Sequence, residues 1–195
     1  MTPVALIQGD FSGAQTLAAA YLEEHWYAAY TRANHEKRVA EQLDLRAVKH
    51  FLPLYKTVRR WKDRRVCLEM PLFPGYVFVR LALVNRLSVL QVSGVVHLVG
   101  FDGSPAAVPE EDVLRVQELL SRGMRAEPHP FLRVGRRVRV MAGPLAGLEG
   151  ILVRRKNRVR FVVSVELILR SIAVEVDEGD LEPISGEQRG ASGEG

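Results

Sequence analysis

The sequence predicts an α+β domain followed by a small five-stranded, SH3-like β-barrel. Three observations carry that prediction. Apolar residues recur at helical spacing over residues 36–47 and 110–120, with strand-like runs between them. Beyond residue 132 the period falls to two, in short runs punctuated by Gly143, Gly147 and Gly150. Between these regions, residues 122–132 hold Gly123, Pro128 and Pro130 and no periodic apolar pattern, as a linker does. The 195 residues suffice for one medium domain or two small ones. The expected plan is a disordered leader (1–25), an α+β domain (26–121), a linker (122–132), the barrel (133–184) and a disordered tail (185–195).

Each element has its own grounds. Residues 14–24 are alanine-rich and lack a clear amphipathic face, so the leader is expected to be loosely attached. Residues 26–31 alternate as a strand, with Trp26, Ala28 and Tyr30 opposite Tyr27, Ala29 and Thr31. Asn34 suits a helix N-cap and Glu36 the first turn. Val39, Ala40, Leu43 and Ala47 form that helix's buried stripe, which turns Arg32, Lys37, Arg38 and Arg46 toward solvent. A strand follows at 51–58, where Pro53 marks an edge or a bulge. Residues 59–65 read Arg-Arg-Trp-Lys-Asp-Arg-Arg and cannot pack internally without burying charge, so they form an exposed hairpin tip.

The strand at 76–81 alternates cleanly. Val77, Val79 and Leu81 suit a core beneath helices, and Tyr76, Phe78 and Arg80 point the other way. That second face is either a covered core layer or a docking patch, and the general tendency of aromatics to be buried favours the first. A short helix at 84–92, a strand at 97–99 and a turn at 101–105 come next. Pro109-Glu110-Glu111-Asp112 opens a helix with proline in the first turn and acids at the positive end of the dipole. Its stripe is Val113, Val116, Leu119 and Leu120, and Gly123 stops it. In the barrel, Val138 and Val140, Ile151 and Val153, Val159 to Val165, and Ile172, Val174 and Val176 supply the inward positions.

Composition sets limits on function. Hydrophobic content of 47% and charged content of 26% are those of a globular chain, and no apolar run is long enough to span a bilayer. The N-terminus has no basic n-region, so a secretory signal is not expected. Cys67 is the one cysteine, which rules out an internal disulfide and fits a reducing cytoplasm. It is expected to be a packed, inert thiol. His35-Glu36 lacks a second histidine at metal spacing and reads as a solvent-facing pair. Residues 177–180 lack the spacing of a calcium loop, and no phosphate loop follows a strand. No catalytic constellation, metal site or cofactor site is expected. What remains is binding. Net charge is only +4, but residues 56–65 hold six basic residues and one acid, and 154–160 form a second basic cluster. Trp61 among those charges suits a phosphate backbone with a stacked base, against the plainer reading of a solvated arm.

Two stretches resemble one known family. Pro71-Leu72-Phe73-Pro74-Gly75-Tyr76-Val77-Phe78-Val79-Arg80-Leu81 is similar to the signature strand of the NusG family of transcription elongation factors. Residues 138–151, with Gly143-Pro144-Leu145 and Gly147-Leu148-Glu149-Gly150, resemble that family's KOW motif. The resemblance covers residues 26–184. It implies an NGN domain, an antiparallel sheet flanked by helices, and then a KOW barrel. It also implies that Ala28, Tyr30, Phe73, Tyr76 and Phe78 form a hydrophobic patch for the clamp helices of the largest RNA polymerase subunit. Arg32, Lys37, Arg38, Arg59, Arg60, Trp61, Lys62, Arg64 and Arg65 would hold upstream or non-template DNA. The bound factor would disfavour the paused enzyme, acting as a cytoplasmic monomer with no membrane contact.

The C-terminal domain of this family recruits a ribosomal protein or the termination factor Rho. Here Leu145 stands where an aromatic is frequent, and Ile168-Leu169-Arg170 occupies the second contact loop. These departures speak against Rho, leave the ribosomal protein as the candidate partner, and resemble the specialised antiterminating paralogs of the RfaH, LoaP and UpxY kind. Residues 84–89 do not reproduce the His-Thr-Thr loop by which RfaH reaches the far side of the cleft. Two other readings stand beside this one: a housekeeping NusG acting with Rho and the ribosome, and a KOW-type RNA- or ribosome-binding protein without polymerase contact. Some specialised members store the C-terminal domain as a helical hairpin over the patch. The Val, Ile and Phe content here predicts a barrel instead.

Overall fold

A computed structural model describes residues 21–61, 64–131, 135–155 and 158–184. Most of the expected leader, Lys62 at the hairpin tip and the tail lie outside the described residues. The first sheet is four-stranded and antiparallel, in the order β2-β5-β1-β6. Its strands are β1 (Glu24–Thr31), β2 (His50–Phe51), β5 (Tyr76–Ala82) and β6 (Val95–Leu98). Tyr27, Ala29, Val77, Val79 and Leu81 pack in one cluster with Val39 and Leu43 of α1 (Glu36–Leu45) and Val89 of α2 (Leu87–Leu90). This is the aliphatic side that the alternation requires.

The opposite face carries Trp26, Ala28 and Phe78, joined by Leu72 and Phe73 from the turn before β5. The helix α3 (Glu110–Ser121) adds Val113, Val116 and Leu119. The cluster then runs without a break into the C-terminal β domain, through Leu145, Leu148, Phe161, Val163, Val165 and Ile168. The aromatic face is therefore a covered core layer over most of its extent. Short strands β7 (Gly100–Phe101) and β8 (Ser104–Pro105) make the turn between β6 and α3.

The β domain departs from expectation at its edge. Its sheet has six strands, in the order β14-β10-β11-β12-β13-β9. Five are β10 (Arg136–Val140), β11 (Glu149–Arg155), β12 (Arg158–Val165), β13 (Arg170–Glu175) and β14 (Leu181–Pro183). The sixth, β9 (Ala126–Pro130), comes from the expected linker and pairs antiparallel with β13, Ala126 opposite Val174 and Pro130 opposite Arg170. Two prolines hid this strand from a periodicity search. They are tolerated because β9 is an edge strand, whose outer side needs no N–H donors.

Other corrections are local. Asn34 is not the N-cap: it sits at φ +61°, which asparagine tolerates, and His35 takes the capping position. Ala47 lies beyond the helix at φ +55° and is exposed, so it is not part of the stripe. Glu36 does not face solvent but is buried, at 5% exposure. Cys67 is exposed. It lies on β4 (Arg64–Pro71), which pairs only with β3 (Leu54–Trp61) in a two-stranded ribbon. Val58 and Leu68 of the same ribbon are exposed as well.

Candidate functional site

The candidate docking residues gather at one end of the first sheet. Tyr30 pairs with Tyr76 and Ala28 with Phe78 across β1 and β5. The Tyr30 and Tyr76 rings are 5.5 Å apart and tilted. Phe73 meets Phe78 edge-on at 5.6 Å, and Phe51 stacks on Phe78 at 6.2 Å. The five residues split by burial. Ala28, Phe73 and Phe78 are fully buried, Tyr76 is half-buried, and Tyr30 is 39% exposed. The expectation of an open patch holds only at Tyr30 and the rim of Tyr76. The physical reason is the continuous apolar cluster: α3 and the β domain lie over what the sheet would otherwise show to water.

Sequence reasoning missed His97. It pairs with Tyr30 across β1 and β6, is exposed, and meets the Tyr30 ring at a tilt, 5.3 Å between centroids. No local pattern marks it, because its role depends on β6 lying beside β1. The exposed aromatic row is thus Tyr76, Tyr30 and His97.

The turn that presents this row is tightly held. Gly75 sits at φ +86°, and a Cβ there would lie 3.3 Å from the Tyr30 ring, so only glycine fits without strain. Its N–H donates to the Glu36 carboxylate at 2.7 Å, and its carbonyl accepts from the Thr31 N–H at 2.8 Å.

The basic candidates lie on two elements. In the ribbon, Arg60 pairs with Arg65, Arg59 with Val66 and Trp61 with Arg64. Arg59, Arg60, Arg64 and Arg65 therefore belong to the paired strands. Arg60, Arg64 and Arg65 are exposed. Arg32, Lys37 and Arg38 are exposed at the β1–α1 corner and on α1, a separate part of the surface framework.

The C-terminal candidates are also divided. Leu145 and Ile168 are buried at 1% and 3% exposure, whereas Leu169 is 57% exposed. Leu169 reaches solvent through a left-handed backbone at φ +48°, unusual for a leucine. Next to it, the Arg170 guanidinium sits over the Tyr76 ring, 5.8 Å from its centroid. At the other end of the contact, Arg122 donates to the Ala146 carbonyl at 3.5 Å.

Between α3 and the β domain lies a groove of about 510 Å³ lined by Glu111, Asp112, Arg115, Arg137, Glu149 and Glu166, among others. Burial raises the Asp112 carboxyl above its ordinary range. Arg115 opposes the shift, and Glu166 and Glu111 add to it. A carboxyl raised on folding binds its proton more readily in the folded chain, so ionised Asp112 opposes folding and that opposition is relieved as pH falls. Asp112→Asn is therefore expected to be stabilising relative to the native chain at pH 7, with the advantage shrinking on acidification. Urea unfolding at pH 7 and pH 5 checks this. Glu149 behaves oppositely: its hydrogen bond from Arg139 holds its pKa down.

The comparisons with known proteins bear on this geometry. A family model described as transcription termination factor NusG matches residues 24–117. The Vibrio vulnificus transcription termination/antitermination protein NusG is 27% identical over 179 residues, covering 83% of this chain and 97% of that protein. Its Yersinia pestis counterpart is 28% identical over 177 residues, covering 82% and 96%. Residues 24–117 belong to the NusG family. The chain as a whole is similar to transcription termination/antitermination factors of that family, with an α+β domain followed by a β domain. A solved structure described as domain interaction in Thermotoga maritima NusG shares the fold, with a TM-score of 0.51, 20% identity, and coverage of 84% of this chain and 99% of that one. Members of this family are transcription factors. Among the described residues no helix is long and apolar enough to cross a membrane, and no cluster of His, Cys, Asp and Glu is placed to hold a metal ion.

Proposed function

We propose that this chain is an elongation and antitermination factor that docks on RNA polymerase through the aromatic face of its first sheet. The observation that carries the reading is the row of Tyr76, Tyr30 and His97, in tilted ring-to-ring contact and emerging from the core at the signature turn. Residues 26–121 act as the docking domain and 133–184 as the recruiting domain, with 122–132 between them. The clamp helices of the largest subunit settle on Tyr30 and Tyr76. Ala28, Phe73 and Phe78 join the contact once α3 and the β domain shift from the face they now cover. Burying those rings against helices supplies roughly 25 cal/mol per Å². The ribbon, with Arg60, Arg64 and Arg65, lies along upstream or non-template DNA, and its contacts go to phosphates, which position without reading sequence. Bound in this way, the factor disfavours the paused state and acts in the cytoplasm as a monomer, on particular long operons.

The arrangement described is a closed one. Arg170 caps Tyr76, and Leu145 and Ile168 are buried in the same cluster as Phe78. The polymerase face and the two recruiting residues are thus hidden together, and opening releases both. A ribosomal protein is the proposed partner of the freed loops. The housekeeping reading is supported by the near full-length alignment with curated NusG proteins. Rho binding by the full chain separates the two: none is expected for a specialised paralog.

Docking itself is tested with Tyr30→Ala, Tyr76→Ala. Truncating two central aromatics is expected to lower affinity for core RNA polymerase by about 100-fold, at about 1.4 kcal/mol per tenfold. Undiminished capture of polymerase would end the docking reading and leave an RNA- or ribosome-binding role.

A further inference from the structure

We infer that Glu36 is a positioning residue for the docking face: its buried carboxylate holds the Gly75 turn and so sets the Tyr30 and Tyr76 rings against each other. The inference rests on the docking reading above, and its ring-setting part stands independently. Glu36 belongs to the first turn of α1, where an acid needs no buried partner and is ordinarily solvated. Here it is 5% exposed and accepts from the Gly75 N–H, across 39 residues of chain. A buried carboxylate is costly unless its oxygens are engaged, so its placement beneath this turn calls for a role there.

The neighbouring geometry supplies one. Gly75 is held on three sides. Glu36 takes its N–H, the Thr31 N–H takes its carbonyl, and the Tyr30 ring lies where a side chain would be. Thr31 follows Tyr30 and Gly75 precedes Tyr76. The Tyr76 N–H closes the turn onto the Phe73 carbonyl at 3.1 Å. Two of the five proposed docking residues, Phe73 and Tyr76, therefore lie within two positions of a peptide fixed by one carboxylate, and a third, Tyr30, adjoins Thr31, whose N–H bonds that same peptide. Without that acceptor the Gly75 N–H is left buried and unpaired, and a glycine at positive φ has wide freedom to turn elsewhere. The ring pair then loses its fixed spacing, and the face binds less well although none of its contact residues has changed.

The test compares full-length Glu36→Ala, Glu36→Gln and Val39→Ala. Val39 is buried on the same helix in the other cluster, so its truncation destabilises the fold without touching the turn. Three quantities are read: affinity for core RNA polymerase, hydrogen exchange at the Gly75 amide, and ring-proton NMR contacts between Tyr30 and Tyr76. Glu36→Ala is expected to weaken binding about tenfold, the scale of a lost positioning contact. It should also speed exchange at Gly75 and remove the ring contacts. Glu36→Gln keeps an oxygen acceptor and should restore all three. Val39→Ala should lower thermal stability and leave all three in place. If Glu36→Ala keeps the ring contacts, or if Val39→Ala loses as much affinity at matched stability, the inference is overturned. Should the native chain not bind polymerase at all, the docking reading fails. The Gly75 exchange and ring contacts then still decide whether Glu36 sets the turn.

Discussion

Replacing Phe78 with alanine is expected to remove about 3–5 kcal/mol of folding stability, the cost of emptying a fully buried aromatic site. The ring is 0% exposed and lies between Phe51 and Phe73, inside the cluster shared by the sheet, α3 and the β domain. Total stability of a chain this size is about 5–15 kcal/mol, so the variant stands near the edge of folding. In urea, with a slope of about 1–3 kcal/mol per molar, the midpoint should fall by about 2 M. A loss below about 1 kcal/mol would mean that the ring is open to water in solution, against the covered arrangement. The expected collapse has a practical consequence. Lost polymerase binding in a Phe78 variant reports unfolding as readily as a lost contact, so Tyr30 and Tyr76 are the cleaner probes.

Gly150→Ala is expected to cost about 1–3 kcal/mol or more, by overpacking rather than by emptying space. A Cβ at Gly150 would come within 2.6 Å of the Val162 carbonyl oxygen and 2.7 Å of the Phe161 ring. Neither neighbour has room to yield. Phe161 is fully buried, and Val162 is fixed in the ladder opposite Ile151. The damage should begin in the β domain. Amides of β11 and β12 are expected to lose hydrogen-exchange protection before those of β1 and β5. Full protection in β11 and β12 would show that the strands are not packed this closely in solution.

How far the sequence revealed this architecture depended on the range of each interaction. Period-two alternation in β1 and β5 placed Val77, Val79 and Leu81 opposite Tyr76 and Phe78, and the faces are as that parity requires. Local chemistry also sufficed for α3, whose proline and three acids mark its start. Long-range contacts were not legible. Nothing near Phe78 indicates that α3 and the β domain share its cluster, so the sequence left a covered layer and a docking patch both open. Glu36 looked like an ordinary first-turn acid because its partner lies on another turn. Cys67 looked packed because a strand cysteine usually is, and only the isolation of the β3–β4 ribbon exposes it. The strand β9 was hidden by Pro128 and Pro130, since its existence depends on the free edge of β13.

The most direct measurement places a photo-crosslinking amino acid at position 76 and asks what it captures in a transcribing complex. The account predicts a covalent adduct with the largest subunit of RNA polymerase, weakened when Tyr30 is changed to alanine. An adduct solely with RNA or a ribosomal protein, with the polymerase subunit unlabelled, would contradict it.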